Sequence, residues 1–438
     1  MIKCRIISHL ERRMIITLIN FLLIFISFFS TQAQSKLENP DQEFVNKNKV
    51  LVLSEQDVVD MGLEYSRKLK SYNTKLEIAE YRSESAGQIQ NPELRFSDVS
   101  SRYFTKEFDE VEMGLRMKFP ELGEMGEKKQ QAQVNIWERK VLQIRYQQQL
   151  VSRIRRNYAT VLMYDEQAKL AHERILKENE RINVIEHLVK IGDRSIVYFT
   201  KAKMWHADSK NDYARAIQKQ SLERRQLADQ TGIPEQAEFI FVDLPEIEQD
   251  IDELIKLAIE NRPEMELVKQ RIELAVLQNN YEQQQRYPWL SFAELSYHKD
   301  KNSSKNWGEL KMGISLPIFN WNSGNIKATD LAVKNKEDES EAIRESIDDE
   351  VRFAYTVYKD LLLDWKNFQL YTDELITNTQ TIVNQAKEHK VLMPDEVMEM
   401  ELTIIETKKL LSEKRRDLAN AMFNLYYSIG IESHEQLK

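Results

Sequence analysis

The sequence predicts a mainly α-helical chain with a small β part, built twice over from long helical hairpins. Three observations carry this. Glycine (11) and proline (9) are scarce in a chain of 438 residues while charged residues reach 30%, a balance that favours long solvated helices over a compact mixed fold. Two stretches alternate apolar and polar residues with a period of two, and each launches a long helical pattern with almost no punctuation. Landmarks also recur in order: Pro92 as Pro288, Gly114 as Gly313, Tyr158 as Tyr355 and Gly232 as Gly430, at a spacing of about 198 residues, larger than solenoid periods.

The first residues read as an export signal. Lys3, Arg5, Arg12 and Arg13 precede an apolar run from Met14 to Phe29, and Thr31-Gln32-Ala33 forms a small-x-small cleavage site, so residues 1–33 are assigned to a signal peptide. The alternative is a membrane anchor, but the run falls short of the roughly 20 residues that a spanning helix needs. Cys4 is the sole cysteine and lies inside this signal, which leaves the exported chain without disulfide, thiol nucleophile or thiolate ligand.

Residues 34–53 are polar and read as a flexible N-terminal segment. The first structural repeat spans 54–232. Ser54 caps a helix with Asp57 three residues on, and the helical pattern runs to about Gln90 before Asn91-Pro92 stops it. Strands follow at about 93–102 and 110–119 around a polar loop. A helix from Glu124 to Lys190 turns at Gly192-Asp193-Arg194-Ser195 and returns to Thr231-Gly232. A linker covers 233–250. The second repeat, 251–432, restates the plan: one helix to about Arg286, strands at about 290–298 and 308–318, a helix from Gly324 to Lys390, a turn at Met393-Pro394-Asp395, and a return helix to Ser428. Residues 433–438 form a tail.

The second long helix carries a heptad, with Val351, Tyr358, Trp365, Thr372, Thr379 and Ala386 in one row and two further rows beside it; three rows make a face wide enough for more than one neighbour. The strands discriminate between a free coiled coil and something larger. In one, Val111, Met113, Leu115, Met117 and Phe119 alternate with Glu112, Gly114, Arg116 and Lys118; in the other, Leu310, Met312, Ile314, Leu316 and Ile318 alternate with small or polar residues. Those ten apolar residues are the candidate lipid-facing set. Alternation over 8–11 residues fits a bilayer-spanning barrel, but four strands cannot close one, and open edges are not tolerated in lipid. Three chains would supply 12 strands, an allowed size. The competing reading is a small soluble sheet packed on the helices, in an exported periplasmic coiled-coil scaffold or adaptor that never enters the membrane.

No enzyme signature is present. The seven histidines are scattered, His172-Glu173 lacks the second histidine of a zinc helix, and His187, His206, His298, His389 and His434 show no ligand spacing and are expected at the surface. The glycines of Gly123–Lys129 lack phosphate-loop spacing, and no Gly-x-Ser-x-Gly occurs. The net charge of −9, with no basic patch among aromatics, argues against nucleic acid. No catalytic residue, cofactor or metal site is expected.

Leu316-Pro317-Ile318-Phe319-Asn320-Trp321 with Gly324 opening a helix, Asn261-Arg262-Pro263-Glu264, and the turn Ile191-Gly192-Asp193-Arg194-Ser195-Ile196 together resemble the motifs of TolC-like outer-membrane efflux proteins. Asn91-Pro92-Glu93-Leu94 and Pro120-Glu121-Leu122-Gly123 resemble the heavy-metal subgroup, of cobalt-zinc-cadmium or copper-silver type. The resemblance implies a homotrimer with a 12-stranded transmembrane β-barrel in the outer membrane and a periplasmic α-barrel, with residues 34–53, 233–252 and the C-terminus near its equator. It implies a passive conduit in a tripartite efflux system, fed by an inner-membrane transporter of RND type through a periplasmic adaptor (membrane fusion) protein that docks at the helical tips. Two departures stand out. The lipidated first cysteine of many relatives is missing, and the second tip, Val391-Leu392-Met393-Pro394-Asp395, lacks the family's glycine. In a trimeric tube each inward acid is tripled, which makes Asp193, Asp395, Glu396 and Glu399, with Arg194 as a pairing cation, the candidate tip and gate residues.

Overall fold

The computed structural model describes residues 51–99, 110–240, 244–300, 306–389 and 392–437. The signal peptide, most of the 34–53 segment, the end of the first predicted strand and the loops at 100–109 and 301–305 lie outside these residues. From Val52 onward the chain packs as one unit.

Strand β1 (Val52–Leu53) leads into α1 (Glu55–Tyr65). Ser54 caps α1 reciprocally: its backbone N–H donates to Asp57 Oδ2 at 2.9 Å and its hydroxyl accepts from the Asp57 N–H at 3.3 Å. The continuous helix expected to Gln90 is broken at Ser66, which is extended and whose hydroxyl accepts from the Leu69 N–H at 3.2 Å, so that α2 (Arg67–Glu84) starts afresh. Strands β2 (Glu93–Val99) and β3 (Glu110–Lys118) form a hairpin, and α3 (Glu124–Ile191) and α4 (Ile196–Thr231) follow. At 68 residues α3 is roughly 100 Å long.

After β4 (Glu238–Phe239), which pairs in parallel with β1, come α5 (Ile251–Asn261) and α6 (Pro263–Gln284). Here too one expected helix is two. Pro263 occupies the first turn of α6 and holds Arg262 in the extended region, a conformation the residue before proline prefers. Strands β5 (Trp289–Asp300) and β6 (Asn306–Ser315) make the second hairpin, and α7 (Ser323–His389) and α8 (Pro394–Ile429) the second helical pair, closed by a 3₁₀ turn at His434–Leu437. The predicted strand to 318 is cut short: β6 ends at Ser315, because Pro317 has no N–H to continue a ladder and Ile318 donates back to Leu316 O at 2.9 Å.

Two apolar clusters hold the helices together. One gathers Leu53, Val58, Val59, Val151, Ile154, Tyr158, Val161 and Leu227; the other gathers Ile247, Leu254, Ile347, Val351, Tyr358, Leu425, Tyr426 and Ile429. Each long helix contributes a buried tyrosine that fastens the connecting chain. The Tyr158 hydroxyl donates to the carbonyls of Leu53 and Ile240, and the Tyr358 hydroxyl accepts from the Ile247 N–H at 3.1 Å. The tyrosine matching Tyr158 in role is therefore Tyr358; Tyr355, three residues earlier, packs half-buried against the same cluster.

Candidate membrane-facing sheet and helical tips

The two hairpins join into one antiparallel sheet of order β2-β3-β5-β6, through pairing of β3 with β5. Its register aligns like with like. Leu94, Leu115, Leu295 and Leu310 stand side by side across all four strands, flanked by a row of Phe96, Met113 and Tyr297 and a row of Met117, Ala293 and Met312. The large side chains of these rows lie open, with Leu295 64% and Leu310 60% exposed. Ile314 is open as well, and so are Leu316 and Ile318, which follow the strand. Phe119, just past β3, is half-buried, and the side chain of Val111 lies outside the described part.

The other face reverses this order. Glu93, Arg116, Glu294 and Lys311 form one row; Arg95, Gly114, Ser296 and Glu309 form the next; Glu112, His298 and Trp307 form a third. Arg95 and Arg116 reach Glu294 at 3.3 and 3.9 Å, and Lys311 reaches Glu112 at 2.7 Å and Glu309 at 3.2 Å. Gly114 makes room for this network, since a Cβ there would stand 3.1 Å from both Glu294 and Ser296. Among the described residues, β2 and β6 each pair along one side only. Where the chain leaves the sheet, Phe319 and Trp321 project openly.

At the far end of the helices, Gly192 adopts φ 87° and closes α3, a left-handed turn that glycine makes without strain. The structure brings Arg194 and Asp395 together: Nη2 and Nε of Arg194 lie 2.9 and 3.1 Å from Asp395 Oδ2, which joins the turn of the first hairpin to the start of the second hairpin's α8. Asp395 is buried, whereas Asp193, Glu396 and Glu399 are exposed. Glu396 caps its own helix by accepting from the Met393 N–H at 3.1 Å. Glu399 faces Arg181 at 3.7 Å. Further links between α3 and α8 climb away from the tip: Lys177 to Glu401 at 3.2 Å and Arg174 to Glu406 at 2.6 Å.

Set against solved structures, the chain matches CusC, described in terms of transmembrane channel formation, with 16% identity, a TM-score of 0.66 and coverage of 86% of this chain and 92% of that one. It matches the outer-membrane protein VceC of Vibrio cholerae with the same identity, score and coverage of this chain, over 96% of VceC. The open state of the outer-membrane channel MtrE of Neisseria gonorrhoeae matches at 16% identity and TM-score 0.64, over 86% and 89% of the two chains. The chain has the TolC-like fold of outer-membrane channels. The mainly α fold with a small sheet part, expected from the sequence, is thus the fold found. No family model and no curated protein matches the sequence.

Within this TolC-like fold one expectation is corrected. His298, assigned to the surface, is only 5% exposed and sits on the polar face of β5 with its Nε2 3.1 Å from Glu309 Oε2. Strand alternation held the signal: His298 shares its parity with Ser296 and Glu294, opposite to that of Leu295 and Tyr297. What the pattern could not give was the pairing of β3 with β5, which gathers charges from both hairpins onto one surface.

Proposed function

We propose that this chain forms a homotrimeric outer-membrane channel, the exit duct of a tripartite efflux system, in which each protomer contributes four strands to a 12-stranded barrel and two helical hairpins to a periplasmic tube. The observation that carries this reading is the sheet: one face apolar, the other charged and, among the described residues, both outer strands unpaired along one side. An open edge in hydrocarbon leaves backbone groups unsatisfied at several kcal/mol each, so β2 and β6 require sister chains. The polar face then lines a water-filled lumen. The solved channels of the same fold support this reading, being described as outer-membrane proteins or channels.

In this reading the chain is a passive conduit and not an enzyme, exported through a cleaved signal and delivered to the outer membrane. The cargo, a metal ion or a drug, is handed over by an inner-membrane transporter of RND type and a periplasmic adaptor. The adaptor meets the helical tips, where Ile191, Ile196 and Val197 lie exposed. The Arg194–Asp395 pair tethers the two tips, and its release widens the entrance.

Fractionation of cells and detergent extraction test the proposal: a trimer in the outer-membrane fraction that conducts ions in planar bilayers is expected, and a soluble periplasmic monomer would overturn it. In the same bilayers Arg194→Ala should raise the leak conductance; an unchanged conductance would remove the gate from the reading and leave the channel.

A further inference from the structure

We propose that Glu112, His298 and Glu309 form a binding site for one divalent transition-metal ion of the zinc, nickel or cobalt class, on the polar face of the sheet. The site is assembled from three strands. Glu112 of β3 stands directly opposite His298 of β5, and Glu309 of β6, opposite Ser296, lies one same-face step along the ladder. His298 Nε2 is 3.1 Å from Glu309 Oε2 and 3.6 Å from Glu112 Oε1, and one donor atom of each residue lies within 4.8 Å of the other two. Ligand atoms held at about 2.0–2.2 Å from a common ion are themselves about 3.0–3.6 Å apart, so two of the three separations already suit shared coordination. The imidazole cannot easily turn away, because Trp307 stacks on it with centroids 4.0 Å apart and planes 9° from parallel.

Electrostatics point the same way. Lys311 Nζ lies 2.7 Å from Glu112 Oε1 and 3.2 Å from Glu309 Oε2, so an ammonium group already stands where a cation is favoured. Lys311 is carried on a flexible stem and its side chain is 38% exposed, which lets it swing into solvent when a doubly charged ion enters. The imidazole donor selects for borderline transition ions over calcium and magnesium, which prefer all-oxygen shells. Metal binding does not depend on the channel reading; that reading adds only that the ion would sit in the lumen.

The test titrates the purified full-length protein in detergent with Co²⁺, followed by its visible absorption and by calorimetry. One ion per chain is expected. His298→Ala should weaken binding by roughly a hundredfold, and Glu309→Gln should weaken it as well, which keeps the test open if the first variant does not fold. Lys311→Met removes a competing charge and should tighten binding by about tenfold. Equal binding by wild type and the folded variants, or none by either wild type or Lys311→Met, would overturn the proposal and leave a structural ion network only. Cobalt binding without bilayer conductance would sink the channel reading but keep the site; conductance without cobalt binding would do the reverse.

Discussion

The helical body and the sheet are built from the same residue types turned opposite ways. In the body, Leu254, Val351, Tyr358 and Leu425 are sealed off from the surface and most charges lie outside. In the sheet, Leu295, Leu310, Met312 and Ile314 are the open residues, while Glu294, Ser296 and His298 are covered. Apolar burial is favourable because it removes surface from water, at about 25 cal/mol per Å². A row of four leucines left open would forgo that gain in water but loses nothing in hydrocarbon. On the proposed channel reading the two regions are fitted to different solvents, the body to water and one face of the sheet to lipid.

The sharpest way to break this contrast is to make one truncation in each region. Leu425→Ala opens a cavity at a fully buried site and should destabilise by about 2–5 kcal/mol. The same change at Leu310 should cost under about 1 kcal/mol in detergent-solubilised protein, since no packed cavity results. Thermal or denaturant unfolding of both variants decides it; equal losses would mean that the sheet face is covered by protein. Next in size is Leu295→Arg, in the centre of the leucine row. A charge on a lipid face costs about 2–4 kcal/mol at mid-depth, so recovery from the outer-membrane fraction should fall sharply. Normal recovery would place that face in water.

The contrast was half legible in the sequence. Period-two alternation marked the apolar faces of β3 and β6, and scarce glycine and proline marked α3, α4, α7 and α8. Alternation states that two faces differ; it does not state which face is covered. The charged face stayed hidden for a further reason. Arg95, Arg116 and Glu294 come from both hairpins, and no local pattern foretells that β3 pairs with β5. The tip was legible in part: Arg194 was read as the pairing cation of four tip acids, and only the docking of the hairpins selects Asp395 among them. The helix breaks at Ser66 and Arg262 had local signals, a capping serine and a residue before proline, which the surrounding apolar periodicity outweighed.

A smaller effect sharpens the comparison within the body, between its two tyrosine fasteners. Tyr358→Phe leaves the buried Ile247 N–H without its acceptor, at about 1–3 kcal/mol. Tyr158→Phe should cost less. It removes a donor from two carbonyls, and Leu53 O still accepts from the Ile240 N–H at 3.1 Å. Buried N–H groups tolerate loss of a partner less well than carbonyls, which have two lone pairs. Unfolding of the two variants side by side checks this order, and a costlier Tyr158→Phe would reverse the assignment of which fastener matters more.

The smallest expected effect concerns a charge that breaks the body's own rule. Glu178 of α3 is 2% exposed, and burial raises its carboxyl pKa above the ordinary value, with Arg181 and Arg174 opposing the shift. Arg181 reaches it only at 3.9 Å and is shared with Glu399, and Oε2 of Glu178 has no hydrogen-bond partner among the described residues. A raised carboxyl binds more protons folded than unfolded, so its contribution to stability declines as pH rises from the unfolded pKa through the folded one, and the penalty is complete above the folded pKa. Glu178→Gln keeps the shape and removes that penalty. At pH 7 it should be neutral or stabilising by up to about 1 kcal/mol, and it should flatten the fall in stability over the mildly acidic range. Denaturant midpoints of both proteins from pH 4 to pH 7 test it. If the glutamine variant is the weaker at neutral pH, attraction to Arg181 outweighs desolvation, and Glu178 is a paired charge within α3.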